Sequence, residues 1–350
     1  MKAAKLSHCS DHRPPAGNLS DGPGVFGVMK RDIWRKQMKF VTTPLRPLIA
    51  LGLAAAGVIT LSGPPDMPDL RLVAATRSVT APAEGAYWHT RTLSKTTHPR
   101  QLGHGANRYW MEEQELVEEW ASPDGRAWFG YRPLGVRPKS PADEKAWRRD
   151  GSPAKWNRTA EGTVVSLSTE PDKGRVGPVR GAKGLPVTTF FLDEQRLTYE
   201  ELQRLPADPA RLKTWLGEAA RVAKTPDGAV DGYLTYTLSS LLHKLPVPKE
   251  VRTAAYQALS TMPGVRSLGK VKDARGRTGE GLSIDHGQTR QKKDTYTDKT
   301  EVIVDTDAMV LLASDLTTTL NGKPFPSRTT TTTVLQVGWT DDKPSVPALP

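Results

Sequence analysis

Apolar and polar positions along the chain follow three regimes. Residues 47–62 (PLIALGLAAAGVITLS) form an apolar run without a charge. From residue 85 the alternation has a period of two. Residues 85–94 (GAYWHTRTLS) and 126–133 (RAWFGYRP) are rich in aromatic and β-branched residues and predict strands. In residues 107–122, Glu112, Leu116 and Trp120 would share a helix face. As a strand, Trp110, Leu116 and Trp120 share a side with Glu112, Gln114 and Glu118. The turn Pro123-Asp124-Gly125 that follows favours the strand. Ser140-Pro141-Ala142-Asp143 caps a short helix that carries Ala146 and Trp147 and stops at Gly151. The polar, Gly-rich residues 157–186 predict an excursion or a flexible loop.

A period near 3.6 follows. Thr198-Tyr199-Glu200-Glu201 is a capping box, and Asp208-Pro209 opens a helix with Leu212, Trp215, Leu216 and Ala219 on one face. Val230, Leu234, Leu238, Leu241, Leu242 and Leu245 make a longer stripe. Pro248 starts a helix facing inward through Val251, Ala255, Ala258, Leu259 and Met262, and Pro263-Gly264 ends it. Period two then returns in residues 265–273 and 277–285, in 300–306 and 309–318, and in 329–339. Strands, helices and strands again predict an α+β domain over residues 85–340. One antiparallel sheet, built from both ends of that region, covers a helical layer.

The apolar run changes where this domain is placed. Lys30, Arg31, Arg35, Lys36, Lys39 and Arg46 precede it against the single acid Asp32, a pattern that keeps residues 1–46 in the cytoplasm and sends the rest across the membrane. The expected organisation is a disordered basic segment (1–46), one N-terminal transmembrane helix acting as signal anchor (47–63), a linker (64–84), the extracytoplasmic α+β domain, and a disordered tail (341–350). The run is close to the minimum of about 17 residues for a span, so a cleaved signal peptide is the competing reading, with a buried core helix of a soluble protein as the third. Met29 and Met38 each offer a conventional start before it.

Charge narrows the partners. The net charge is +11, from 49 Lys and Arg against 38 Asp and Glu. Residues 1–65 hold nine of the basic residues and three of the acidic ones, and no basic block follows, so the excess belongs to topology and nucleic acid is not an expected partner. Cys9, the only cysteine, precedes the run, which excludes a disulfide or a thiol nucleophile from the exported part.

Candidate chemistry is sparse. No G-x-S-x-G, H-E-x-x-H, P-loop or G-x-G-x-x-G motif occurs. His98 and His104 lack a third ligand, so no metal and no cofactor are expected. Asp285-His286 has no serine at a fixed spacing. Glu112, Glu113, Glu115, Glu118 and Glu119 could supply a carboxylate pair for an extracytoplasmic hydrolase; the plainer expectation is that they solvate the outer side of a strand and keep its edge from pairing. Six tryptophans fall between residues 88 and 156. Trp88, Trp110, Trp120 and Trp128 either fill the core between sheet and helices or, some of them, line a groove between the sheet and the helices that binds an apolar ligand.

Three stretches together carry a resemblance. They are Tyr87-Trp88 with Glu118-Glu119-Trp120 and Asp124-Gly125-Arg126; Leu205-Pro206-Ala207-Asp208-Pro209 with Leu212; and residues 248–259 (PKEVRTAAYQAL) running into Met262-Pro263-Gly264-Val265. The pattern resembles a family of uncharacterised single-pass membrane proteins of actinobacteria, often encoded beside extracytoplasmic-function sigma factors. Their external domain is similar to the lipoprotein-carrier and sigma-regulator (LolA/RseB-like) half-barrel. Residues 1–46 lack the longer acidic, Ala/Arg-rich cytoplasmic segment of that group. The resemblance implies a half-barrel sheet that holds apolar chains. With no catalytic constellation to assemble, the expected function is a membrane-anchored binding or sensing protein and not an enzyme. Its partners would be a membrane and an apolar ligand, lipid or exported protein segment.

Overall fold

Alternating side chains build the first three strands, β1 (Tyr87–Thr97), β2 (Met111–Ala121) and β3 (Ala127–Pro138), into an antiparallel meander. The computed structural model describes residues 84–160, 163–181, 188–193 and 195–350. All of them belong to one compact unit of the chain, Gly52–Pro350. The basic segment 1–46, the apolar run 47–63 and nearly all of the linker lie outside the described residues. Among the described residues no helix is long and apolar enough to cross a membrane.

Helix α1 (Pro141–Arg149) follows, with the Ser140 side chain accepting from the Asp143 N–H, and then the hairpin β4 (Lys155–Ala160) and β5 (Thr163–Ser168). Strand β6 (Arg175–Pro178) pairs with β3. The excursion or flexible loop expected over residues 157–186 is thereby corrected where these strands lie, while residues 161–162 and 182–186 of that range lie outside the described residues. Trp156 pairs with Leu167, and both pack with Tyr109, Met111, Val136 and Ala146 in a small second core that gives this polar stretch something to fold against. A short hairpin of β7 (Phe190–Leu192) and β8 (Gln195–Leu197) leads into the helices.

Helix α2 (Tyr199–Gln203) carries the complete Thr198/Glu201 capping box, and α3 (Pro209–Val222) is capped by the Asp208 side chain. With α4 (Val230–Leu241) and α5 (Lys249–Ser260) these form the helical layer. Leu212, Leu216, Leu238, Leu241, Leu242 and Leu259 are fully buried, against Leu282, Val302, Val304, Leu311 and Val334 of the sheet. Strands β9 (Val265–Lys272), β10 (Thr278–Gln291), β11 (Asp294–Asp305), β12 (Val310–Leu320), β13 (Lys323–Pro324) and β14 (Thr330–Thr340) complete the chain. The turn between β10 and β11 is Lys292-Lys293, with Lys292 at a φ of 55°; no Gly or Asn marks it.

The large sheet has ten strands in the order β6-β3-β2-β1-β14-β12-β11-β10-β9, with β13 beside β12, and every pairing is antiparallel. Pairing of β1 with β14 joins the two ends of the domain, so one sheet drawn from both ends carries the helices and the fold is α+β. Strands β12 and β14 pair over only four residues, 313–316 with 330–333. Arg277 ties them by donating to the carbonyls of Leu312 and Val334, while its guanidinium is held by Asp273 at 2.6 Å.

Candidate binding face of the sheet

Strand periodicity sorts the first sheet segment into two sides. Trp88 points to the helices. Its ring meets Trp339 at 5.7 Å, its Nε1–H donates to the carbonyl of His243, and Arg252 lies over it at 5.7 Å. His89, Arg91, Leu93 and Lys95 therefore take the other side of β1. Their partners across β2 are Trp120, Glu118, Leu116 and Gln114, and Trp128 of β3 stands opposite Trp120.

The centre of this side is a sealed polar network. His89 Nε2 lies 2.8 Å from Glu118 Oε2, Arg91 reaches Glu118 Oε1 at 3.5 Å, and the His89 ring stacks on Trp120 with centroids 4.8 Å apart and planes 6° from parallel. His89, Glu118 and Trp120 are 6%, 4% and 2% exposed. Beside them the Trp128 ring meets Tyr87 edge-on at 5.4 Å and carries Arg126 at 5.8 Å.

Part of the cover is the chain's own residues 341–350. This segment has no helix or strand, yet it does not form the loose tail expected of it. Asp341 accepts from the N–H of Ala86, Arg91 Nη2 donates to the carbonyl of Ala348 at 2.6 Å, and Pro347 is buried. A Cβ on Gly130 would lie 3.0 Å from the Trp120 ring and 3.2 Å from Pro347, so glycine there is what admits both groups. Further along the same side a cavity of about 290 Å³ is lined by Leu93, Leu116, Thr333, Leu335 and Pro350, with Lys95 and Arg275 also on its wall.

The four candidate tryptophans thus do not share one groove, and the groove expected between the sheet and the helices does not hold Trp120 or Trp128. Trp120 and Trp128 are neighbours on the face away from the helices, and Trp88 belongs to the core on the other. Trp110 precedes β2, where its N–H donates to Asp143 and its carbonyl accepts from Lys139. The acidic stretch also departs from the outer-side expectation. Glu113 pairs with His98 at 2.8 Å, Glu115 is buried and accepts from the Tyr131 hydroxyl, and Glu118 is sealed; only Glu119 is fully exposed. Partners from neighbouring strands make burial of these carboxylates tolerable.

His98 and His104 engage different carboxylates, Glu113 and Asp150. Among the described residues no three metal-ligating side chains cluster. His286 bonds Thr300, and Asp285 accepts from Gly287 N–H within a bulged part of β10.

One cluster escaped the sequence reading. Lys139 Nζ donates to the hydroxyls of Thr97 and Thr329, both at 2.6 Å. Burial pulls the Lys139 ammonium down, opposed by Glu112 and Asp143, and burial raises the Glu112 carboxyl, opposed by Lys139 and Lys95. A cleft of about 630 Å³ opens beside Lys139, between the end of β3 and α1. No motif spans residues so far apart in the chain.

No family model matches the chain, and no curated protein matches it. Among solved structures it is similar to a beta-barrel-like protein of the domain of unknown function DUF1849 from Brucella abortus. That likeness has 10% identity over 73% of this chain and 99% of that chain, and its TM-score of 0.17 carries no conclusion about fold or function.

Proposed function

We propose that residues 85–340 form a binding or sensing domain that acts without catalysis, and that its site is the sheet face bearing His89, Arg91, Glu118, Trp120 and Trp128. The observation that carries this reading is the polypeptide already seated there, with Pro347 over Gly130, where the Trp120 ring also approaches, and a backbone carbonyl held by Arg91. A face that accepts an apolar side chain beside a ring and pins the passing backbone with one donor is suited to an extended apolar ligand. The alternative, a hydrolase using the carboxylates of residues 112–119, gains no support: Glu113, Glu115 and Glu118 are each held by a neighbouring side chain.

In this proposal the run 47–63 anchors the chain in the cell membrane, its N-terminus stays cytoplasmic, and the domain is displayed outside. The resemblance to half-barrel lipoprotein carriers and sigma regulators agrees with a ligand that is a lipid, an acyl chain or an exported segment. Tryptophan fluorescence of the purified full chain, titrated with fatty acids and acylated peptides, tests the reading. A saturable shift that is weakened by Trp128→Ala is expected. No shift with any apolar ligand, together with steady release of product from a glycoside or ester substrate, would replace binding by turnover.

A further inference from the structure

We infer that this face is a docking surface for proline-rich polypeptide with a proline at every third position, and that residues 344–350 are its occupant in cis. The inference rests on the binding reading above and narrows its ligand. The segment reads Pro344-Ser345-Val346-Pro347-Ala348-Leu349-Pro350, so its prolines recur with a period of three. A polyproline II helix has three residues per turn and places such prolines along one edge, about 9 Å apart.

Burial peaks at the middle of that edge. Pro347 is buried over Gly130, where the Trp120 ring also approaches, Pro344 is half-buried, and Pro350 is exposed where it borders the cavity over Leu93 and Leu116. Between them Val346 and Leu349 are left 38% and 54% exposed. The larger Val346 and Leu349 therefore stay in solvent while the smaller, stiff Pro347 is buried, the reverse of what hydrophobic collapse alone would select. Arg91 supplies the one backbone anchor by donating to the Ala348 carbonyl. Aromatic rings with a fixed donor beside them recognise proline-rich ligands because the ligand is already ordered before it binds. Strand β14 ends at Thr340, so the segment starts next to its own site and its effective concentration there is high. A partner in trans must displace it, and its apparent affinity falls by the fraction of chains whose face is open.

The test uses fluorescence anisotropy with a labelled peptide of residues 341–350, added to the full chain and to a chain ending at Thr340. The shortened chain should bind the peptide saturably, and the full chain at least about tenfold more weakly. Moving the peptide prolines off their three-residue period, or Arg91→Ala in the shortened chain, should each weaken binding by about tenfold or more. Equal binding to both chains, or none to a shortened chain that unfolds cooperatively, overturns the inference.

If the shortened chain does not fold, Pro347→Asp in the full chain takes its place. Limited proteolysis should then remove residues 341–350 faster, and peptide binding should rise. An unchanged cleavage rate with no gain in binding refutes the cis occupant. A shortened chain that ignores the peptide but binds acylated ligands at Trp128 sinks the proline inference alone; one that binds neither sinks the binding reading as well.

Discussion

Replacing Glu118 by Gln tests whether the sealed network carries weight in the fold. The substitution keeps the size of the side chain and removes its charge. In the native protein one carboxylate oxygen lies 2.8 Å from His89 Nε2 and the other 3.5 Å from Arg91, with the Glu118 side chain 6% exposed. Hydrogen bonds to charged groups contribute about 1.5–3 kcal/mol each. The amide keeps the hydrogen-bonding geometry but removes the charge that strengthens the bonds to His89 and Arg91, so a net loss of about 2 kcal/mol follows. With an m-value of about 2 kcal/mol/M in urea, the unfolding midpoint should fall by about 1 M with no change in slope. Glu118→Gln combined with His89→Phe, which keeps a ring stacked on Trp120, should show a coupling of at least about 0.5 kcal/mol. A loss under about 0.5 kcal/mol, the size of an ordinary surface change, would refute the reasoning and return Glu118 to the solvent side of the strand.

Three further outcomes are expected. Leu259→Ala should cost about 2–5 kcal/mol in urea unfolding, since Leu259 is fully buried in the helical layer; a cost like that of a surface site would misplace α5. Burial alone would raise the Asp273 carboxyl, but hydrogen bonds from Arg277 and from the Arg275 and Arg277 backbone N–H groups hold it below the usual carboxylate value. A depressed carboxyl stabilises the fold above its unfolded pKa, about 3.9, and loses that contribution as the pH falls through the folded value. The stability gap between the native chain and Arg277→Ala should thus stay constant from pH 7 to 5 and shrink at pH 3; a gap that grows on acidification reverses the sign and defeats the assignment. For topology, a reporter active only outside the cytoplasm, fused after Pro350, should be active, and activity of a cytoplasmic reporter there would contradict the proposed anchor.

The helical half was legible because its signals are local. Thr198 and Glu201 sit three residues apart, and the Leu and Ala stripes of α3, α4 and α5 lie at the spacing of one helix face. The paired strands around residues 273–277 and 306–309 were legible for the same reason. What stayed hidden depends on register between distant segments. Parity groups Trp120 with Trp110, but only the pairing of β2 with β3 sets Trp120 beside Trp128, and only β14 and the helices claim Trp88. Glu118 looks solvent-bound until His89, 29 residues earlier, is brought against it. The turn at Lys292-Lys293 lacks the usual residues for positive φ. Residues 341–350 carry no periodic apolar pattern of two or 3.6, and their period of three becomes meaningful only once Pro347 is seen buried over Gly130 and Ala348 held by Arg91.

The central claim is that ligand meets the sheet face away from the helices. Nitrogen-15 labelling of the tryptophan indoles gives one N–H resonance per ring, and an acylated peptide can be titrated against all of them at once. The account predicts progressive shifts of the Trp120 and Trp128 resonances, with Trp88 and Trp339, enclosed between sheet and helices, left in place. Shifts confined to Trp88 and Trp339 would put the ligand between sheet and helices and contradict the site proposed here.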